Sequence, residues 1–401
     1  MPATAFSQYY ARELDVEQLA WLLTHTQPVG GQQSIPDLSA WAGWIRADIQ
    51  CSSCGKRGAQ IVRPSKARGT KTVVRQAHFR FTDQSGGDAH HPFCEFYSAD
   101  ETMRQPDSLI NFRAEKSVET RAVRTLICKG IEQKIFDQAA VRSMRQWFFD
   151  LKSSTRFTVT ASPQILDWAQ HLQRHPSYHR WEFHPAQADM PAFDWKAAAK
   201  FQFTEENLTL IECAKRVVHD DAHWKRARDL SERHFAHEVF DTTVLQPFYD
   251  KSVALCAFVG KNSKISFSKT RPEYFRFNQA PAPLLALCAL MLFVSDWDLN
   301  VAIGKFAKLL NAPEPADFSH GNVIGLNPFH DYAAWRLITL ATEVEAKSSA
   351  GIDYAAQLLS IESRLRQNYA IWKSTQAATG RLIAVDVAPR DGRNQYAIRE
   401  P

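Results

Sequence analysis

Two short stretches carry the residue types that hold a metal. Cys51-Ser-Ser-Cys54-Gly55 places two thiols three positions apart, with a glycine behind the second that lets the backbone turn over an ion and aim amides at sulfur. Forty residues on, His90-His91-Pro-Phe-Cys94 repeats the same gap between His91 and Cys94. Two matching halves complete a tetrahedron, so Cys51, Cys54, His91 and Cys94 are the expected ligands of one structural zinc, with His90 as the alternative fourth ligand. A redox dithiol of the same spacing normally opens a helix after a strand; a basic, glycine-rich segment follows here instead.

That segment is the second chemical feature. Between Lys56 and Thr82 stand Lys56, Arg57, Arg63, Lys66, Arg68, Lys71, Arg75 and Arg80 without one Asp or Glu, although the whole chain carries only +5. A local excess of this kind suits a polyanion, and the helically spaced pairs Arg121/Arg124 and Arg142/Arg145 extend it. Phosphate contacts from such residues position a nucleic acid without reading its sequence. Trp147, Phe148 and Phe149 read as core rather than as stacking residues.

Other ionisable groups are weaker candidates. His219, Asp220, Asp221 and His223, followed by His234, His237 and Glu238, put 219, 223, 234 and 238 near one helix face, but such a face spans about 28 Å and its ligands do not converge. Asp194-Trp-Lys196 and Glu345-Ala-Lys347 are the acid-x-Lys triplets a nuclease core would use; surface charge explains both more simply.

The order of Cys51-x-x-Cys54, a basic hairpin, Ala77-His78-Phe79-Arg80-Phe81 and a final His and Cys94 resembles the N-terminal zinc-ribbon region of competence protein CoiA-like proteins over residues 45 to 125. The resemblance carries Cys51, Cys54, His78 and Cys94 across, and implies a DNA-processing setting. On the residues themselves, His78 either replaces His91 as the fourth ligand or stands on the strand beside the metal and hydrogen-bonds a ligand; the second is favoured, since its spacing from Cys94 is long for a half-site. In that family a nuclease portion of the PD-(D/E)XK type follows, with a helix carrying Glu-Ser and a later His and Lys. Glu115-Lys116-Ser117 stands at the corresponding place here without that His.

The elements that must position these groups follow from periodicity. Residues 1–48 read as helical, with Val16, Leu19, Leu22 and Leu23 on one stripe and a second short helix around Trp41 to Ile49. Gln60 to Arg63 and Lys71 to Phe81 read as the strands of the basic hairpin. A long helix is expected over residues 111–152, then a β-α-β unit with strands at Thr155 to Thr160 and His179 to His184 around a helix opened by Ser162-Pro163. A helical region over Glu205 to Val239, a hairpin from Ser252 to Val259 and Ile265 to Lys269, and helices to Thr379 complete the chain, with one strand expected over Arg381 to Val387. Pro283 to Val294 is the most apolar run; at 12 residues it reads as a buried core helix rather than the roughly 20 needed to cross a bilayer.

The sequence therefore predicts a mainly helical, multidomain α+β protein with an inserted zinc-ribbon module, divided as residues 1–48, 49–105, 106–245 and 246–401. With 45% hydrophobic residues it has ample core material. Its seven scattered cysteines suit a reducing cytoplasm, no secretory leader is expected in Met1 to Tyr10, and no membrane partner is expected. The expected role is a zinc-containing nucleic-acid-binding subunit of a DNA-processing or defence assembly; a divergent metal-dependent nuclease and a protein-binding scaffold are the alternatives.

Overall fold

The computed structural model describes residues 4–25, 35–63, 65–66, 73–75, 77–84, 86–91, 94, 96–97, 118–175, 182–217, 220–262, 280–318, 327–348 and 352–386. The fold is mainly helical with small antiparallel sheets. Its chain forms two units, one of residues Met1–Ser162 with Val218–Thr339 and one of Pro163–Val217 with Leu340–Pro401.

The chain opens on strands, not on helix. β1 (Thr4–Ser7) pairs with β2 (Arg12–Asp15), and β1 also pairs with β3 (Ile49–Gln50), giving the order β2-β1-β3. Four-residue strands are too short to show a period in the sequence. Asp15 then starts α1 (Val16–Thr24): its carboxylate accepts from Gln18 N at 2.8 Å, and the Gln18 side chain accepts from Asp15 N at 3.0 Å. This reciprocal cap satisfies two of the amides a helix start leaves free. α2 (Ala42–Asp48) leads into β3. Because β3 belongs to the sheet of the first residues, the expected boundary between 48 and 49 cuts through one structure.

β4 (Ala59–Val62) pairs with β7 (His78–Phe81) in the register Ala59↔Phe81 to Val62↔His78, and β5 (Ser65–Lys66) pairs with β6 (Val73–Arg75). The expected basic hairpin is thus present as two consecutive ladders. One buried cluster joins Ala5, Leu14, Leu19, Ile45 and Ile49 to Ala59, Phe79, Phe81, Cys51 and Cys94.

The long helix expected over 111–152 is two, α3 (Val118–Glu132) and α4 (Gln138–Ser153). Lys134 at φ +53° reverses the chain, and Asp137 caps α4 by accepting from Ala140 N at 2.7 Å. Gly130 is required here, since a Cβ would lie 2.3 Å from Cζ of Phe136. β8 (Phe157–Thr158) pairs antiparallel with β9 (Glu238–Val239), so the β-α-β expectation fails; residues 182–184 form no strand, and 179–181 lie outside the described residues. Two-residue strands carry no alternation for a sequence reading to find.

The helix expected after Ser162-Pro163 is present as α5 (Pro163–Arg174), and in place of one helical region over Glu205 to Val239 the chain forms the end of α6 (Trp195–Glu206), α7 (Leu208–Lys215) and α8 (Asp221–His234) before β9. α9 (Gln246–Asn262) is continuous helix through Ser252 to Val259, where a hairpin strand was expected; Ile265 to Lys269 lie outside the described residues. Valine and alanine runs fit either element, and packing against α10 (Ala282–Phe293) decides the matter. α10 is buried from Leu284 to Leu292, as its composition predicts. α11 (Leu299–Asn311), α12 (Tyr332–Lys347) and α13 (Tyr354–Asp386) follow, and residues 381–386 are helical rather than a strand. No helix among the described residues is long and apolar enough to cross a membrane.

Two buried polar devices organise the units. In the first, Arg145 on α4 donates to both carboxylate oxygens of Glu13 on β2, at 2.6 and 2.5 Å, with both side chains 3% exposed or less; Thr4 Oγ1 donates to the same carboxylate at 2.6 Å. Arg142, one turn back, lays its guanidinium 3.4 Å from the centre of the Phe6 ring. In the second unit His175 accepts from the Tyr354 hydroxyl at Nε2 (2.6 Å), and its Nδ1 lies 3.1 Å from Thr204 Oγ1, which itself donates to Lys200 O. Burial, with the charges of Lys200, His171 and Lys215, lowers the His175 pKa to about 4.

Arg145→Ala leaves the Glu13 carboxylate buried without its countercharge, and is expected to lower stability by about 3–5 kcal/mol in chemical denaturation. The pair Glu13→Gln with Arg145→Met removes both charges and is expected to recover most of that loss. In the second unit, a histidine whose folded pKa lies below the usual 6.5 contributes stability that is fully present above pH 6.5 and is lost as pH falls toward about 4. Denaturation midpoints between pH 7 and 4.5 should drop by an amount worth up to about 3 kcal/mol, and His175→Gln should flatten that dependence.

Candidate metal centre

Cys51 leaves β3 and begins a tight knuckle. Its N–H donates to Lys56 O at 2.8 Å, Gly55 N–H returns to Cys51 O at 3.1 Å, and Ser53 N–H points at Cys51 Sγ at 3.4 Å. Gly55 adopts φ +67°, the left-handed turn that a glycine takes without strain. The second half of the site hangs from β7. After Phe81 the chain turns at Asp83, which binds the amide of Gly87, and Ala89 N–H returns to Phe81 O at 3.0 Å. Asp88 then accepts from His90 N at 2.9 Å, and Cys94 N–H closes on His91 O at 2.8 Å.

These turns bring Cys51, Cys54, His90 and Cys94 together, with one ligand atom from each lying within 4.8 Å of the others. Cys51 Sγ and Cys94 Sγ are 3.8 Å apart, and His90 Nδ1 lies 3.5 Å from Cys54 Sγ and 3.6 Å from Cys94 Sγ. Tetrahedral bonds of about 2.3 Å to sulfur and about 2.0–2.1 Å to nitrogen give edges of about 3.8 and 3.6 Å. The Cys51–Cys94, Cys54–His90 and Cys94–His90 separations therefore match the edges a tetrahedral ion imposes. The His90 ring packs between Phe81 and Phe96, at 4.9 and 5.8 Å between centres, which fixes the direction of Nδ1.

Electrostatics also calls for a cation. Burial pushes the Cys51 and Cys94 thiols up, while hydrogen bonds from Cys51 and Cys94 hold Cys54 down. The cluster by itself favours one thiolate served by two protonated neighbours, since three charges at this separation repel in a buried site. A divalent ion removes the repulsion and displaces the remaining protons.

The structure corrects the fourth ligand. His91 faces the other way, its ring edge-on to Phe149 at 5.2 Å, and His90 takes the place expected of it. The even gap between His91 and Cys94 misled, because a half-site is set by the Asp88 turn rather than by symmetry of spacing. His78 is buried at the far end of the β4–β7 ladder, opposite Val62, about 10 Å along the strand from Phe81, and is not one of the four. Among the described residues no other group of three or more His, Cys, Asp or Glu converges in this way.

The basic residues do not share one environment. Lys56 and Arg57 on the knuckle are exposed, as is Arg121. Arg63 is paired with Asp37 at 3.0 Å, a partner from outside the acid-free stretch, and Arg80 is half-buried on β7. Lys66 and Arg75 lie on the β5–β6 ladder, while Arg68 and Lys71 lie outside the described residues. Three of the helical arginines do not form a surface stripe: Arg124 donates to Phe318 O at 2.9 Å, Arg142 covers Phe6, and Arg145 is buried on Glu13. Phe148 is buried as expected, whereas Trp147, packed with Phe248 and Trp297, and Phe149, packed with His91, are half-buried.

The histidine-rich run and the acid-x-Lys triplets resolve into structural roles. Asp220 caps α8 and sits 2.6 Å from His223 Nδ1, His234 packs edge-on to Trp335, and His219 lies outside the described residues. Asp194 is the N-cap of α6, accepting from Ala197 N at 3.0 Å; Glu345 lies within α12, and Lys347 reaches Cys213 Sγ at 3.7 Å. Neither triplet is on a strand, and Glu115 to Ser117 lie outside the described residues. No protein-family model, curated protein or solved structure matches the chain.

His90→Ala is expected to weaken metal retention by more than the roughly 10–100-fold that loss of an outer partner costs, whereas His91→Ala keeps one full equivalent. Elemental analysis after dialysis against a chelator separates the two; retention by both variants, or loss by both, contradicts the assignment.

Proposed function

We propose that this protein is a zinc-containing nucleic-acid-binding protein whose Cys51-Cys54-His90-Cys94 centre fixes a basic knuckle and hairpin against phosphates. The convergence of three sulfurs and one imidazole nitrogen within 4.8 Å of one another supports the zinc part of this reading. Three thiolates with one nitrogen suit zinc above the harder divalent ions, which prefer oxygen. All four protein ligands are supplied, so the ion is structural and leaves no open position for water.

Supporting the nucleic-acid part are Lys56 and Arg57, both exposed on the loop that the metal closes, in a stretch without an acidic residue. A metal-held loop loses little conformational freedom when it meets a phosphate, which favours charge contacts that a mobile loop would make weakly. The resemblance to the CoiA-like zinc-ribbon region supports DNA as the polyanion and a DNA-processing or defence assembly as the setting. The acid-x-Lys triplets give a nuclease reading no support, since both serve other roles.

Freshly purified protein is expected to carry one zinc per chain. Lys56→Glu with Arg57→Glu should keep one zinc per chain and a folded protein, with at most the loss of the single Arg57–Gln8 hydrogen bond, worth about 1 kcal/mol, and weaken binding to a DNA probe. If both side chains contact phosphates, the salt slope should fall by about 1.8 on duplex or about 1.4 on single strand. Unchanged affinity and slope would remove the nucleic-acid reading and favour a protein-binding scaffold.

A further inference from the structure

Next to the knuckle the surface carries an exposed aromatic group that neither the metal nor the core requires. The turn joining β1 to β2 presents Tyr9, 74% exposed, and Tyr10; α2 and the turn before it present Trp44 and Trp41, the latter 38% exposed. The four rings meet edge to face, with centres 5.0 Å apart for Tyr9 and Tyr10, 6.1 Å for each tyrosine to Trp44, and 6.5 Å for Trp41 to Trp44. Tyr10 and Trp44 lean on the buried cluster and anchor the group, whereas a ring as exposed as Tyr9 has at least one face open to solvent.

This group is built rigidly and tied to the cations. Asp48 accepts from Tyr9 N at 2.7 Å and from the Ser7 hydroxyl, so the turn is held and its nearest acid is already engaged. Gln8, beside Tyr9, accepts from Arg57 Nη2 at 3.0 Å and donates to Gln50 at 3.1 Å; Gly58 N–H donates to Arg46 O at 3.1 Å. Arg57 is thus joined through Gln8 to the turn that carries Tyr9, exposed Lys56 precedes it in the chain, and exposed Arg46 stands on α2, where its carbonyl meets Gly58.

We infer that Tyr9 and Trp41 form a base-stacking platform, and that the ligand of this surface is single-stranded nucleic acid, its bases on the rings and its phosphates along Arg46, Lys56 and Arg57. The inference rests on the nucleic-acid reading above and narrows it. Stacked bases of a duplex offer no free face to an aromatic side chain, whereas every base of a single strand does, so rings beside cations select the strand. Charge complementarity separates this ligand from an apolar protein segment, which would leave three cations unpaired at the edge of the contact.

The test compares binding of a fluorescent oligodeoxythymidine of about 16 nucleotides with binding of a duplex of the same length. Tyr9→Ala and Trp41→Ala should each weaken the single strand about 5- to 100-fold and leave the duplex unaffected, while Tyr9→Phe and Trp41→Phe keep the affinity. Zinc content and melting temperature of each variant establish that the fold is intact. Ring variants that bind the single strand as well as the parent overturn the platform; if Lys56→Glu with Arg57→Glu still loses binding, the nucleic-acid reading survives alone. Equal loss on strand and duplex also overturns it, because the rings then act through the fold. Binding of neither probe by the unaltered protein overturns both readings.

Discussion

Three sulfur atoms and one imidazole nitrogen, drawn from segments some forty residues apart, have to meet within 4.8 Å, and the first part of the molecule is arranged around that meeting. Cys51 stands at the end of β3, and β3 is a strand of the sheet that the first residues of the chain begin. Cys94 and His90 hang from the turn after β7, whose partner β4 follows the knuckle directly. Both halves of the centre are therefore anchored to backbone ladders, β3 for Cys51 and β7 for His90 and Cys94.

The same arrangement explains why the module is not free-standing. Its few large apolar residues, Phe79, Phe81 and Phe96, close a core that Leu14, Leu19, Ile45 and Ile49 supply from the neighbouring strands and helices. The Glu13–Arg145 pair then ties that core to α4 from a distance of 132 residues. A buried charge pair contributes modest net stability, but it is intolerant of a wrong partner, and this gives the docking of β2 on α4 its specificity. Arg142 on Phe6 adds a contact of α4 with β1, the next strand of the same sheet.

The metal centre and the aromatic turn share one buried cluster, on which Cys51 and Cys94, Tyr10 and Trp44 all pack. The hydrogen bond between Gln8 and Arg57 is the joint, since it connects the turn that carries Tyr9 to the loop that carries the first two cysteines. The proposed function rests on this proximity, since cations beside aromatic rings suit a polymer that is both anionic and aromatic.

The cysteines, the basic stretch and the long amphipathic and apolar helices were legible in the sequence, because spacing, charge and a 3.6-residue period are local properties. Cys51, Cys54 and Cys94 needed only their neighbours to be recognised, and the burial of α10 needed only its composition. The choice of His90 over His91 was not legible, since it depends on the Asp88 turn and on Phe81 and Phe96 closing around one ring. Nor could the sequence show that Arg124, Arg142 and Arg145 are spent on a carbonyl, a ring and a buried carboxylate, for their partners Phe318, Phe6 and Glu13 are remote in the chain. Short strands such as β1, β8 and β9 exist only through their pairing, and a residue's pairing partner is a tertiary fact. Local chemistry was written in residue order; which of two adjacent histidines, and which of many arginines, does the work was decided by what folding brought beside them.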